Sequence, residues 1–365
     1  MRYLIRRARP LAALTACIGA AGLALGSTAA AQASTHAAPA SGVAWHALHP
    51  IDGWQSAQAD DSTGDPAWAV KDGVVYLAGS LERPSGDARL FAQLPPQARP
   101  WHKLWMTVYT DGDTTGTVYI YPSGKMYAYS FPDTADATGF TSLAGLSFPA
   151  RSMRQHPIKL IEGWHSEQNR WNSGNPSYSV SGGVVYLSGS LATSGSDTLF
   201  AHLPKAARPR SDEYFIVYTY AGTYGELVLK KDGEAELFDG GSADYSSLAG
   251  ISYPTASNGG HPLALINGWR SGETAFNTGN PAYSVRGGVV YLSGSIATSG
   301  SDGVFAVLPP GARPAHYVYI KVFTYDAHTG TVQINPDGTV SAIDPTGNYA
   351  PQLTDLAGIS FPLGS

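Results

Sequence analysis

Short runs of alternating hydrophobic and polar residues recur along the chain and predict β-strands separated by turns. Two runs show the pattern clearly, because side chains on a strand point to opposite faces with a period of two. In the run 184–191, one face holds Val185, Leu187 and Leu191, and the other holds Val184, Tyr186 and Ser188. In the run 213–220, one face holds Phe215, Val217 and Thr219, and the other holds Tyr214, Ile216, Tyr218 and Tyr220. One face is therefore suited to a core, and the second face is rich in aromatic residues.

These patterns belong to an internal repeat. Residues 172–209 and 277–314 are identical at 29 of 38 positions, and a more divergent copy precedes them. Each copy opens with a His-Pro and a Gly-Trp pair, and closes on Leu-Ala-Gly, Leu or Ile, Ser, Phe or Tyr, and Pro. We therefore assign copy one to residues 49–149, copy two to 156–254 and copy three to 261–362.

The length of the repeat indicates its architecture. About 100 residues is too long for a propeller blade or a solenoid coil, and suits a complete small β-sandwich. The linkers between copies have about six residues, which span at most ~20 Å. The sequence therefore predicts an all-β protein of three tandem antiparallel β-sandwich domains that lie close together.

The aromatic face of each copy needs a cover. Three large aromatic residues per copy bury ~450 Å², or on the order of 10 kcal/mol as an upper estimate. A bare patch of this size is unusual on a monomer, so a neighbouring copy or a ligand should cover it, and the short linkers favour the neighbour. We predict an intramolecular pseudo-trimer with an inter-repeat interface of Tyr76, Tyr186, Tyr291, Trp105, Tyr109, Tyr214, Tyr218, Tyr319 and Phe323.

Composition supports a turn-rich β protein, with 42 glycines, 25 prolines and 21 tyrosines among 365 residues. The N-terminus has a different pattern. Four arginines precede an apolar stretch, and Ala31-Gln32-Ala33 forms a cleavage site, so residues 1–33 are predicted to be a secretory signal peptide. A lipid anchor through Cys17 is the alternative. Residues 34–48 resemble a flexible leader.

Removing residues 1–33 removes the only cysteine and leaves 19 basic and 28 acidic residues, a net charge of −9. This balance argues against nucleic acid as a partner. No later segment approaches the ~20 apolar residues of a transmembrane helix. We expect a secreted, extracellular protein without disulfides, monomeric as a chain.

The order of motifs in each copy resembles the C-terminal receptor-binding head domains of bacteriophage tail fibres. The motifs are an early Trp, Gly-Val-Val-Tyr-Leu-x-Gly, Phe-Ala-x-Leu-Pro-x-x-x-Arg-Pro, a glycine turn and the closing Leu-x-Gly-Ile-Ser-Phe. The resemblance implies a jelly-roll-like sandwich, trimeric assembly and binding of cell-surface glycans. The predicted signal peptide and the three fused copies depart from that family's pattern.

Catalytic and metal-binding patterns are weak. Asp87, Asp197 and Asp302 recur at one repeat position and suit turns. His49, His156 and His261 each precede proline, which is typical of a linker or first strand. Asp111-Gly112-Asp113 suits a hairpin turn better than a calcium site. We therefore predict no catalytic residues, metal or cofactor, although a glycosidase pair among Glu162, Glu167, Glu213 and Glu226 stays open.

Aromatic residues outside the strand pattern are better candidates, because sugar rings stack on Trp and Tyr. A loop with the pattern Trp/Phe-Asn-x-Gly-Asn-Pro-x-Tyr occurs in copies two and three. We predict a ligand-binding surface of Trp171, Asn175, Tyr178, Phe276, Asn280, Tyr283 and Trp68. The alternative is that Tyr178 and Tyr283 simply pack at a strand start. Trp101, found only in copy one, is a weaker candidate.

These observations favour a secreted, non-enzymatic protein that binds a glycan or another cell-envelope ligand through several β-sandwich heads. Repetition of weak sites would supply avidity. Two alternatives stay open, an extracellular glycan hydrolase and a purely structural protein of the cell envelope or matrix.

Overall fold

The computed structural model describes residues 43–131, 134–238, 243–255, 260–343 and 347–364. The prediction of an all-β fold is confirmed, because strands dominate the described residues and helices are short. None of the helices in these ranges is long and apolar enough to cross a membrane. The predicted signal peptide, with Cys17, lies outside the described residues.

Eleven strands belong to each copy within the described ranges. In copy one they are β1 (His46–Ala47), β2 (Gln55–Ser56), β3 (Ala67–Lys71), β4 (Val74–Ala78), β5 (Ser80–Glu82), β6 (Leu90–Gln93), β7 (Leu104–Thr110), β8 (Thr114–Ile120), β9 (Lys125–Ser130), β10 (Thr141–Ser142) and β11 (Ser147–Pro149). In copy two they are β12 (His156–Pro157), β13 (Trp164–Ser166), β14 (Ser177–Ser181), β15 (Val184–Ser188), β16 (Ser190–Thr193), β17 (Leu199–His202), β18 (Glu213–Tyr218), β19 (Tyr224–Leu229), β20 (Glu234–Phe238), β21 (Ser246–Ser247) and β22 (Ser252–Pro254).

In copy three they are β23 (His261–Pro262), β24 (Arg270–Ser271), β25 (Ala282–Arg286), β26 (Val289–Ser293), β27 (Ser295–Ala297), β28 (Val304–Val307), β29 (Val318–Thr324), β30 (His328–Ile334), β31 (Thr339–Ile343), β32 (Thr354–Asp355) and β33 (Ser360–Pro362). The α-helices are α1 (Gln58–Asp61), α2 (Thr134–Gly139), α3 (Gln168–Trp171) and α4 (Glu273–Phe276). Short 3₁₀ turns are Pro96–Ala98, Asp111–Asp113, Lys205–Ala207, Tyr220–Gly222 and Pro310–Ala312.

Each copy has a four-stranded antiparallel sheet, in the orders β1-β3-β4-β11, β12-β14-β15-β22 and β23-β25-β26-β33. Copies one and three add a seven-stranded sheet, β2-β5-β10-β7-β8-β9-β6 and β24-β27-β32-β29-β30-β31-β28. In copy two the corresponding strands form two sheets, β13-β16-β21 and β17-β20-β19-β18, with a bridge between Thr219 and Ser246. A register shift recurs on β6, β17 and β28, so the three copies share even a local irregularity.

The two faces of each strand separate into different hydrophobic clusters. In copy two, Val185, Leu187 and Phe215 are buried in that copy's own core. Tyr186 instead lies in a cluster with residues of copies one and three. Because side chains on a strand alternate with a period of two, a shift of the strand register by one residue would exchange these faces and expose the core side chains.

Copy one begins earlier than the sequence suggests. Part of the predicted flexible leader is ordered, since His46–Ala47 pairs with β3 and both Val43 and Leu48 are 3% exposed. His46 pairs with Trp68 as His156 pairs with Tyr178 and His261 with Tyr283. The structural equivalent of His156 is therefore His46. The His49-Pro50 pair lies in the divergent loop of copy one and has no such role.

Neighbouring copies contact one another in a cycle. The backbone N–H of Lys103 in copy one donates to Asn172 of copy two, at 2.8 Å. The N–H of Asp212 in copy two donates to Asn277 of copy three, and that of Tyr317 in copy three donates to Ser62 of copy one, both at 3.1 Å. These residues occupy equivalent repeat positions, so the same contact is made three times within one compact unit.

Candidate functional site

Six aromatic side chains on β7, β18 and β29 form three stacked pairs, each between two copies. The pairs are Trp105 with Tyr218, Tyr214 with Phe323, and Tyr319 with Tyr109. Their ring centroids are 6.4, 5.3 and 5.1 Å apart, with interplanar angles of 17°, 26° and 25°. All six belong to the inter-repeat set expected from the sequence. The first pair is the most widely spaced.

The other three residues of that set meet through their hydroxyl groups. The Tyr186 hydroxyl lies 2.9 Å from those of Tyr76 and Tyr291, which are 3.4 Å from each other. All three rings are buried together with Val74, Val184 and Val289. Burial raises the pKa of each phenol, so all three stay protonated and able to donate.

An aromatic pocket lies where copies one and two meet. We define it by its lining residues, Trp105, Trp171, Tyr218, Tyr220, Ala221 and Tyr245. Its volume is about 210 Å³. The Trp171 ring centroid is 5.8 Å from Tyr245 and 6.4 Å from both Trp105 and Tyr220. Since one water occupies about 30 Å³ in the liquid, the aromatic pocket has room for one small ring.

Local structure holds Trp171 at this interface. It is the last residue of the one-turn helix α3, which ends because Asn172 adopts a left-handed conformation with φ 55°. The Asn172 carbonyl oxygen accepts the hydrogen bond from Lys103 described above. The Lys103 ammonium in turn lies 4.2 Å from the Trp105 ring centroid, a cation–π contact. The two indoles of the aromatic pocket are thereby positioned by one inter-copy contact.

The indole Nε1 of Trp171 is buried and has no hydrogen-bond partner in the described structure. The Tyr245 hydroxyl is also buried, and the side chains of Ser173, Ser190 and Ser247 face it. A buried donor without an acceptor costs about 1–3 kcal/mol, and such groups in native proteins usually have a reason.

The two equivalent interfaces lack this arrangement. In copy three, Phe276 and Leu353 replace Trp171 and Tyr245, with Phe276 6.1 Å from Tyr325. In copy one, Asp61 replaces Trp171. Burial raises the pKa of Asp61, and the nearby carboxylates of Asp60, Glu82 and Asp111 raise it further. The interfaces therefore share a scaffold and differ in surface chemistry.

The predicted ligand loop does not form one surface. Trp68, Tyr178 and Tyr283 pack on their own cores and against His46, His156 and His261, at 4.5, 5.2 and 5.3 Å between centroids. Asn175 accepts a hydrogen bond from the Ser166 hydroxyl at 2.8 Å, which braces the loop. Phe276 lies in the second interface and Asn280 in a separate groove. Of the seven residues, Trp171 alone lines the aromatic pocket.

The other sequence candidates have local partners. Asp197 and Asp302 accept backbone N–H bonds two residues ahead, as turns require. Asp113 pairs with the buried Lys321 of copy three at 3.2 Å. Trp101 is 53% exposed, with the Arg151 guanidinium 5.6 Å from its ring centroid. Within the described ranges, no three His, Cys, Asp or Glu side chains are grouped to hold a metal.

The four candidate glutamates are spread over copy two. Glu162 lies in a turn with φ 52°. Glu167 lies 3.4 Å from His165 and 4.0 Å from Arg170, and Glu226 lies on β19. Glu213 alone of the four lines one of the cavities described here. The four acids therefore lie on separate elements of copy two.

Sequence reasoning missed Tyr245. It precedes the closing strands of copy two, where copies one and three have Phe140 and Leu353. Its partner Trp171 is 74 residues away, so no local pattern joins them. The difference among the three copies at this position is the one sequence signal that could have indicated Tyr245.

Comparison with protein-family models, with curated proteins and with solved structures finds no match.

Proposed function

We propose that this protein is a secreted, non-enzymatic glycan-binding protein, built of three tandem β-sandwich units packed as an intramolecular pseudo-trimer. The aromatic pocket between copies one and two carries the proposal. Its walls are four aromatic rings from copy two and Trp105 from copy one. Sugars present flat C–H faces that stack on such rings.

The unpartnered Trp171 N–H adds a polar contact to this stacking. A sugar hydroxyl or ring oxygen can accept from it, which converts a buried, unsatisfied donor into a hydrogen bond. Because the tryptophan is replaced by Phe276 and Asp61 in the other copies, we propose one principal site per chain. Avidity would then come from repeated epitopes on a surface to which several chains bind.

The resemblance to phage receptor-binding heads supports the same class of ligand and stays a proposal. Fusion of three copies supplies three head domains from one chain, whereas a fibre head obtains them from three chains. The predicted signal peptide supports export to the place where surface glycans are found.

The test is a glycan array and whole-cell-wall binding with the protein beginning at residue 34. Trp171→Ala should lower the affinity for any bound glycan at least tenfold, because it removes both a stacking surface and the N–H donor. Phe276→Ala is the matched control, since it truncates the equivalent aromatic residue in the second interface. Equal losses for both variants, or no binding to any glycan or cell wall, would overturn the proposal.

A further inference from the structure

A second cavity lies between copies two and three, and its chemistry differs from that of the aromatic pocket. We call it the polar groove; its volume is about 410 Å³. Copy two contributes Arg210, Glu213 and Lys231 to its lining, and copy three contributes Glu273, Asn277 and Asn280. Lys231 Nζ donates to Asn277 Oδ1 at 3.0 Å, so part of the wall is an ordered polar bridge between the copies.

Glu213 is the unusual residue of the polar groove. Its side chain is 3% exposed, and its Oε2 is buried without a hydrogen-bond partner in the described structure. Leu104 and Val318 occupy the same strand position in copies one and three. An apolar residue therefore suffices for the fold at this position, and the carboxyl group needs another explanation.

A second buried acid lies at the same interface. Asp355 is fully buried where the other copies have Ser142 and Ser247. Its oxygens accept hydrogen bonds from the N–H groups of Ala357, at 2.8 Å, and Tyr214, at 3.2 Å. Asp355 is therefore held by backbone donors, whereas Glu213 Oε2 still lacks a donor.

Within the described residues neither carboxyl forms an ion pair. A buried carboxyl oxygen without a donor favours a ligand that brings its own N–H donors, because the oxygen has lost its hydrogen bonds to water. An ammonium group supplies one positive charge and three donors in a compact shape. The oxygens of Asp355 already accept N–H bonds, which suits a donor-bearing ligand better than a metal ion.

We propose that the polar groove binds an amine-bearing ligand of the amino-sugar class, with its ammonium group on Glu213. The exposed Asn280 and the Ser293 hydroxyl, which also line the groove, suit the hydroxyl groups of the sugar ring. Lys231 is engaged with Asn277 rather than with Glu213. This site is independent of the aromatic pocket, which belongs to the other interface of copy two.

Binding should involve a proton. Burial first, and then the neighbouring Asp355 and Asp212 carboxylates, raise the pKa of Glu213 well above its ordinary range, so its carboxyl keeps its proton to a higher pH than an exposed glutamate does. When a charged ammonium binds, that proton is released to solvent and an ammonium–carboxylate pair forms. Affinity should therefore rise with pH until the amine of the ligand loses its own proton.

The experiment is isothermal titration calorimetry with glucosamine, N-acetylglucosamine and glucose. Glucosamine should bind at least tenfold more tightly than the other two, with proton release shown by titration in two buffers of different ionisation enthalpy. Glu213→Gln keeps the shape of the protonated acid and should remove the preference for glucosamine. Glu162→Gln, an exposed turn residue of the same copy, is the matched control and should preserve it.

Equal affinities for the three sugars, no binding of any, or a preference retained in Glu213→Gln would each overturn the proposal. A thermal melt of each variant shows that it is folded before titration. Trp171→Ala separates the two sites, since it should lower the affinity for polysaccharide at least tenfold and leave glucosamine binding unchanged. Loss of glucosamine binding in Trp171→Ala would show that the ligand is in the aromatic pocket and not in the groove.

Discussion

Single residues at equivalent positions show which contacts the three copies share and which they do not. The arginine of each Leu-Pro-x-x-x-Arg-Pro motif donates from Nε to the motif's leucine carbonyl, at 3.0, 3.1 and 2.9 Å. Trp54, Trp164 and Trp269 likewise donate to backbone carbonyls. These invariant positions brace loops. Trp171 and Glu213 stand at positions that differ among the copies, and each carries a buried group without a partner, as do Ser147 and Ser252 of the closing motif.

The tyrosine cluster at the junction of all three copies gives a prediction at this scale. Tyr186→Phe removes the hydroxyl that lies 2.9 Å from both Tyr76 and Tyr291. It leaves two buried phenols with only their 3.4 Å contact, so we expect a loss of about 1–3 kcal/mol in the free energy of unfolding. Urea titration monitored by circular dichroism measures this.

Tyr178→Phe is the control for that substitution. It removes a hydroxyl from a half-buried ring that packs within copy two, so its cost should stay below about 0.5 kcal/mol. A cost for Tyr186→Phe as small as that of the control would show that the hydroxyl contacts contribute nothing to the association of the copies.

At the scale of elements, the loop after helix α3 links the aromatic pocket to the fold. Gly174 has φ +81°, and a Cβ there would lie 2.6 Å from the His102 ring of copy one. The backbone at Gly189 packs directly against this loop, because a Cβ there would overlap the Asn175 carbonyl. The loop can therefore follow this path only with glycine at these two positions.

Gly174→Ala should consequently weaken both the fold and the aromatic pocket. It combines the cost of a left-handed alanine, about 1–2 kcal/mol, with displacement of His102 and of the end of α3. Gly182→Ala has the same backbone cost at φ +56°, but nothing lies within 4 Å of its Cβ. Glycan affinity should fall in the first variant and not in the second; equal affinities would contradict the proposed role of this loop.

The alternation of side chains along each strand was also the part of the fold that the sequence could predict. The alternation around Tyr186 and Tyr218 separates core from inter-copy side chains, since a strand's period needs no tertiary information. The sequence placed the start of copy one at His49, because His49-Pro50 has the same two residues as the His-Pro pairs that open the other copies. In the structure the first strand of copy one, β1, begins at His46. Tyr245 and Asp355 were missed because strand order within a sheet decides their neighbours.

At the scale of the whole molecule, three similar copies form three unequal interfaces. Interface one–two holds the aromatic pocket, and interface three–one buries Lys321 beside Asp113. Interface two–three holds Glu213 and Asp355. A homotrimer would have to repeat any such feature three times, whereas a fused chain can change one interface alone. Fusion therefore lets one junction hold an aromatic pocket and another bury a charged pair.

The buried acids of interface two–three should make stability depend on pH. Burial raises the pKa of Asp355 from its ordinary 3.8 to about 8 and that of Glu213 well above its ordinary 4.5. Asp212 on the same strand edge acts in the same direction on Glu213, and Lys231 and Glu273 line the adjoining groove. Because the folded state holds these protons more tightly than the unfolded chain, the acids' contribution is full below about pH 4 and declines as pH rises toward 8.

The double variant Glu213→Leu/Asp355→Ser carries the residues found at these positions in copy one. It should lose this pH dependence, so its melting temperature should exceed that of the native chain by several degrees at pH 8 and by less at pH 4. Differential scanning calorimetry across this range, in buffers of equal ionic strength, measures the difference. A constant offset between the two proteins at every pH would mean that the acids ionise in the folded state as they do in the unfolded chain, and that the interface does not exclude water from them.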